Sequence, residues 1–129
     1  MPTRKQRGSD TQNAVAEYVA GHGWPHAQST GAGRMGVDIT GMPGLSPEVK
    51  ARRDFNLPLW LRQAAKHGGG VPFVVHRPDG FGLDKVELWP MTFYLRDGVT
   101  ILRDAGYGDE LPDPLSDRCD DGRPWAAGQ

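Results

Sequence analysis

An aspartate and a Glu-x-Lys triplet separated by one tight turn constrain this chain more than any other feature. Gly36-Val37-Asp38-Ile39-Thr40 runs into the turn Gly41-Met42-Pro43-Gly44, and a second segment from Leu45 carries Glu48-Val49-Lys50. Two extended segments around such a turn predict a β-hairpin over 37–40 and 45–52. Side chains alternate faces along a strand, so Glu48 and Lys50 point one way and Val49 the other, with Cα atoms about 6.6 Å apart. Val37 and Ile39 are then free to face a core while Asp38 faces out beside Glu48. Neighbouring carboxylates repel unless a cation lies between them. Hard oxygen donors of this kind suit Mg²⁺ or Mn²⁺. The Lys50 ammonium, one step further along, is placed to hold a water or a phosphate oxygen.

The surroundings sharpen the pattern. A helical segment containing Glu17 precedes the hairpin, followed by the Gly-rich Gly31-Ala32-Gly33-Arg34; a helical segment with Gln63 and an apolar strand over 71–76 come after it. Asp38 with Glu48-Val49-Lys50 resembles the PD-(D/E)xK nuclease signature. The order of segments over residues 9–78 is similar to the Holliday junction resolvase branch of that superfamily, found in archaea and phages. Val37 stands where the pattern often has proline, at a position that varies in the family.

The resemblance implies an α/β fold with a restriction-endonuclease-like core, αβββαβ, whose central mixed sheet is flanked by helices. It implies a Mg²⁺- or Mn²⁺-dependent DNA endonuclease whose hydrolysis leaves a 5′-phosphate and a 3′-hydroxyl. Asp38, Glu48 and the Val49 carbonyl would hold the metal, and Glu17 would complete or extend the shell. Lys50 would orient the water or balance charge on the phosphate, and Gln63 would lie close to the lysine or the scissile strand. Branched DNA, a four-way junction or a flap, is the implied partner. A homodimer is expected with it, since a junction needs two symmetric cuts. Two alternatives stay open: a nuclease of the same fold acting on flaps, forks or single-stranded ends, and a DNA-binding protein that keeps the fold without catalysis.

Length and charge are compatible with this reading. A chain of 129 residues fits one domain with one core. The single Cys119 excludes an internal disulfide framework and a Cys-rich zinc site. No apolar run approaches the ~18 residues that suggest a membrane span. With no basic-then-apolar leader, the cytosol is the expected location, a host cytoplasm if the chain is phage-encoded. The net charge of −1 conceals an asymmetry. Residues 109–129 hold six acids against two arginines, a net of −4, which leaves +3 on residues 1–108. Arg34, Arg52, Arg53, Arg62 and Lys66 are the candidate contacts to a nucleic-acid backbone.

Residues 1–8 are polar and basic and read as a disordered arm; residues 9–108 form the expected nuclease domain; the Pro-, Gly- and Asp-rich 109–129 reads as a disordered acidic tail. Ser9 with Gln12 is a capping-box pattern for the first helix, with Ala14, Val15, Tyr18 and Val19 toward the core. A short strand is expected near 26–29. Pro47 suits a strand start or an edge, so regular pairing is expected from Glu48. Asn56 caps the next helix with Pro58 in its first turn, Leu57, Leu61, Ala64 and Ala65 form its buried stripe, and Gly68-Gly69-Gly70 ends it. Residues 85–89 and 92–95 read as strand-like, and 99–102 as a strand or the start of a last helix. The aromatic-rich stretch 81–94, with Trp60, supplies candidate dimer anchors. His22, His26, His67 and His76 lack metal-ligand spacing and read as surface or phosphate-contacting residues.

Overall fold

The computed structural model describes residues 3–31 and 36–110. Arg34 and nearly all of the expected acidic tail lie outside the described residues. The chain divides into two units after Val99, and everything that positions the acid pair lies in the first. No helix among the described residues is long and apolar enough to cross a membrane.

The element order is α1 (Arg4–Ala20), β1 (Gln28–Ser29), β2 (Ile39–Thr40), β3 (Leu45–Lys50), α2 (Leu57–His67), β4 (Val71–His76), a 3₁₀ helix (Leu83–Leu88), β5 (Met91–Phe93) and α3 (Leu95–Asp104). The class is α/β, with a three-stranded mixed sheet flanked by helices. β3 and β4 are parallel, with Glu48 opposite Val74 and Lys50 opposite His76. α2 is the crossover that a parallel pair requires. β5 adds antiparallel to β4, giving the order β3-β4-β5, while β1 and β2 form a separate antiparallel pair.

The first helix starts earlier than its sequence suggests. Residues 4–8, expected as a disordered arm, are helical, because the Thr3 hydroxyl accepts the Gln6 N–H at 3.1 Å and caps the helix upstream of Ser9. Three cations in the first turn oppose the helix dipole, which argues against a helix there. Burial along the Thr11, Gln12, Val15, Ala16 and Val19 face outweighs it. Tyr18, expected inside, is exposed.

Alternation along β4 separates two cores. Phe73 and Val75 join Val15, Val19, Ile39, Val49 and Trp89 on the α1 side. Val74 points the other way and packs with Trp60 and Leu61 of α2. On α2 the buried residues are Trp60, Leu61 and Ala64, and the expected Ala65 is exposed. Trp60 and Trp89 are therefore core residues, not interface anchors.

Two further expectations are corrected. Pairing on β3 begins at Leu45, not Glu48. The carbonyls of Gly44 and Lys50 accept N–H groups from Val71 and Arg77, so the even residues of β3 bond to β4 and Pro47 presents its missing N–H to the opposite side, where no ladder needs it. Residues 85–89 do not form a strand. Val86 and Trp89 both turn toward the α1-side core, three residues apart, and the Trp89 N–H donates to the Val86 carbonyl at 3.1 Å. Contacts at i and i+3 suit a 3₁₀ turn.

Candidate functional site

Local alternation brings Asp38, Glu48 and Lys50 together. Ile39 is committed to the α1-side core, so Asp38 before it faces the opposite side. Val49 is committed to the same core, so Glu48 and Lys50 also face the α2 side. The Ser46 hydroxyl, on that same face of β3, donates to the Ala64 carbonyl and ties α2 down over it. The Lys50 Nζ lies 3.0 Å from Glu48 Oε1. One Asp38 carboxylate oxygen accepts the Val49 N–H at 2.7 Å. The Asp38 N–H reaches the Pro47 carbonyl at 3.4 Å, and the Thr30 N–H holds the Asp38 carbonyl at 3.0 Å.

The expectation of an exposed hairpin face is overturned. Asp38 is 9% exposed and Glu48 5%, because α2 roofs the face that the hairpin alone would have left to solvent. Burial pushes the Asp38 carboxyl up to about 6, with the nearby Glu48 charge adding to the rise; the Val49 N–H, Lys50 and His67 act against it. Glu48 Oε2 is buried with no hydrogen-bond partner among the described residues. An orphaned carboxylate oxygen beside a second buried carboxyl is the donor set a hard divalent cation requires. The odd residues of β3 turn their backbone groups toward Asp38, so the Val49 carbonyl lies on the same side as these donors. Asp38, Glu48 and the Val49 carbonyl are the groups that would hold a hard divalent cation such as Mg²⁺.

Other expected site residues divide. Gln63 follows Arg62 on α2 and precedes Ala64, which bonds to Ser46; its Oε1 is buried and has no hydrogen-bond partner among the described residues. Glu17 does not join the acid pair. It lies on the exposed side of α1, lining a cavity of about 450 Å³ with Asp10, Asn13, Tyr18, Leu83 and Val86. Val15, Ala16 and Val19 take the inward positions of that helix, so Glu17 is turned away from the sheet. No group of three His, Cys, Asp or Glu side chains able to hold a metal occurs among the described residues.

The basic candidates among the described residues, Arg52, Arg53, Arg62 and Lys66, are exposed. Arg52 pairs with Asp54 at 3.1 Å and holds that carboxyl below its usual range. Arg53 faces Asp79 at 3.4 Å. Arg62 and Lys66 sit one turn apart on the outer face of α2. His67 was not expected beside the acids. It ends α2, just before the turn into β4, and lines a cavity of about 500 Å³ with Val37, Thr40, Gly44 and Gly69. Its position in the last helical turn before three glycines was the available signal.

Comparison with known proteins finds no matching family model, no curated relative and no solved structure of significant similarity.

Proposed function

We propose that this protein is a metal-dependent DNA endonuclease with a restriction-endonuclease-like core, of the PD-(D/E)xK type. The observation that carries the proposal is the juxtaposition of two buried carboxylates, one with an orphaned oxygen, and an ammonium 3.0 Å from the second carboxylate. A structural ion pair needs one acid for one base. The additional buried acid, Asp38, destabilises the metal-free fold at neutral pH and is explained by a cation.

When bound, Mg²⁺ would supply polarisation of the scissile phosphate and an acidified water. Asp38 and Glu48 would hold it, Asp38 fixed in direction by the Val49 N–H. Lys50, steadied by Glu48, would orient the attacking water or balance the charge that develops on the phosphate oxygens. The water oxygen bonds to phosphorus as the bond to the 3′ oxygen breaks, leaving a 5′-phosphate and a 3′-hydroxyl. The carboxamide of Gln63 lies on the helix that roofs this face, within the class of groups that position a water or a strand.

The proposal extends to branched DNA, with a Holliday junction as the first substrate and a homodimer as the active form. A two-fold dimer presents two equivalent sites to two equivalent strands. The test is incubation with labelled four-way junction, flap, single strand and linear duplex, each with Mg²⁺ and with EDTA. Mg²⁺-dependent cleavage lost in Asp38→Asn supports the reading. Absence of cleavage on all four substrates would refute it, and a monomer that cuts linear duplex as readily as the junction would remove the resolvase assignment.

A further inference from the structure

The loop between β3 and α2 carries an aromatic ring that the acid site does not use. Phe55 is 62% exposed, although its fold offers a core beneath it. The ring is nevertheless braced. It meets Trp60 edge-on at 5.4 Å and His76 at 5.1 Å, and the Trp60 and His76 rings lie 5.4 Å from each other. Trp60 is buried, so the bracing is anchored in the core. The His76 ring is further positioned by a 3.3 Å contact between its Nε2 and the Arg52 carbonyl. An exposed phenylalanine held by two T-shaped ring contacts is restrained in orientation and still offers most of its ring to solvent.

Its location is the second observation. His76 stands opposite Lys50 in the β3–β4 register. Adjacent strands lie about 4.8 Å apart. His76 reaches Trp60, which belongs to the α2-side core, so its ring is on the same face as Lys50 and Glu48. Phe55 therefore continues the line from Glu48 through Lys50 toward the C-terminal end of β3. Arg52 and Arg53 precede it in the same loop, 58% and 88% exposed at their side chains, with Asp54 and Asp79 fixing where their guanidinium groups start.

We propose that Phe55 is a stacking platform for one unstacked nucleobase of a DNA strand whose backbone passes Lys50, so that the site selects strands with a base freed from its stack, at a branch point or in a single strand, next to the cut. The inference rests on the nuclease reading for the identity of its partner. A single aromatic face flanked by cations matches a base with its phosphates, since every base offers a π-face and the backbone offers charge. The chain neighbours of Phe55, Asp54 and Asn56, are exposed and polar, which suits a charged, hydrated strand better than the apolar face of a peptide or a second copy of the chain. Bases inside a duplex are already stacked on their neighbours and do not present a free face to it.

The experiment measures binding in EDTA, where cleavage is absent. Wild type, Phe55→Leu and Phe55→Tyr are titrated by fluorescence anisotropy against a short single strand and a duplex of the same length. Leucine keeps the apolar contact with Trp60 and loses the π-face; tyrosine keeps both. The expected result is about a tenfold loss of single-strand affinity in Phe55→Leu, wild-type affinity in Phe55→Tyr, and unchanged duplex binding. A fluorescent adenine analogue in the single strand, quenched by stacking on the wild-type protein, reads the same contact without any variant. Equal losses on single strand and duplex, undiminished single-strand binding in Phe55→Leu, or an unquenched analogue in the bound complex would each overturn the platform. A protein that shows the quenching and yet cuts nothing with Mg²⁺ loses the nuclease reading and keeps the platform. One that cuts normally without quenching loses the platform alone.

Discussion

The Asp38 carboxylate accepts the Val49 N–H at 2.7 Å, in the place where a backbone carbonyl of a neighbouring strand would ordinarily stand. The hairpin expected over 37–40 and 45–52 does not form: β2 has no ladder with β3 and pairs with β1 instead. A side chain thus joins the two segments that bear the acids. The same hydrogen bond fixes one oxygen of Asp38 and sets the direction of the carboxyl group against Glu48. Structural and proposed chemical roles meet in one residue, and they separate by substitution.

Asp38→Asn retains an amide oxygen to accept the Val49 N–H and removes the charge. Its expected phenotype is loss of Mg²⁺-dependent cleavage by roughly 100- to 1,000-fold, with stability at pH 7 equal to or above wild type. Asp38→Ala leaves the Val49 N–H buried and unpaired, at a cost of about 1–3 kcal/mol. Urea denaturation of both variants in EDTA checks the separation. Equal stability of the two would show that the hydrogen bond contributes nothing.

The pH dependence has a defined sign. The Asp38 carboxyl titrates near 6 in the folded protein against an ordinary value of 3.8. The folded state therefore binds this proton more tightly than the unfolded chain does. The stability contribution of this group is fully present below pH 3.8 and is lost as pH rises through about 6. Metal-free protein is expected to lose stability across that window from this group, and Asp38→Asn to flatten the profile. Mg²⁺ competes with the same proton, so its affinity should rise up to about pH 6 and level off above it. Denaturation midpoints across the window in EDTA, with calorimetric Mg²⁺ titrations at matching pH values, provide the measurement.

Lys50 and Glu48 form a pair whose side chains are 19% and 7% exposed. Lys50→Met removes the cation and strands a buried carboxylate, a change that costs about 3–5 kcal/mol when a fully buried pair is broken and somewhat less here, where Lys50 is partly solvated. Glu48→Gln with Lys50→Met removes both charges and should recover most of the stability while cleavage stays lost. A double-mutant cycle in EDTA measures the coupling. Additive losses would mean that the 3.0 Å contact carries no energy and that Lys50 is held in place by other groups.

Much of this was legible in the sequence, for physical reasons that particular residues show. The extent of β4 follows from a short apolar run bounded by three glycines and a Pro-Asp turn. The co-facing of Asp38, Glu48 and Lys50 follows from strand alternation anchored by Ile39 and Val49. Local patterns do not report what a distant element covers, and for that reason the acid face was expected to be exposed until α2 was seen to roof it. The start of α1 was missed because the unfavourable charges at Arg4, Lys5 and Arg7 are local and the burial that outweighs them is not. Glu17 was assigned by analogy of position, but the inward face of α1 is set by Val15 and Val19. Phe55 gives no periodic signal at all; its exposure and its two ring neighbours exist only in three dimensions.

Gly68 is the last test, because it controls how closely α2 approaches the acid-bearing strand. Its φ of −125° is open to any residue, so the demand is for space alone. A Cβ there would overlap the Ser46 side chain and crowd Val37 beside Asp38. Both neighbours belong to the segments that carry the acids. Gly68→Ala is expected to cost about 1–3 kcal/mol, as overpacking of a close contact does. By pushing the end of α2 away from β3 it should admit water to Asp38, bring its pKa back toward the ordinary carboxylate value and weaken the pH dependence described above. Adding Ser46→Gly removes the opposing side chain and should restore part of the stability, a non-additive effect expected only of groups in direct contact. Urea midpoints of the two single variants and the double variant decide it. A Gly68→Ala protein as stable as wild type, with its pH profile intact, would show that α2 does not depend on this contact to roof the site.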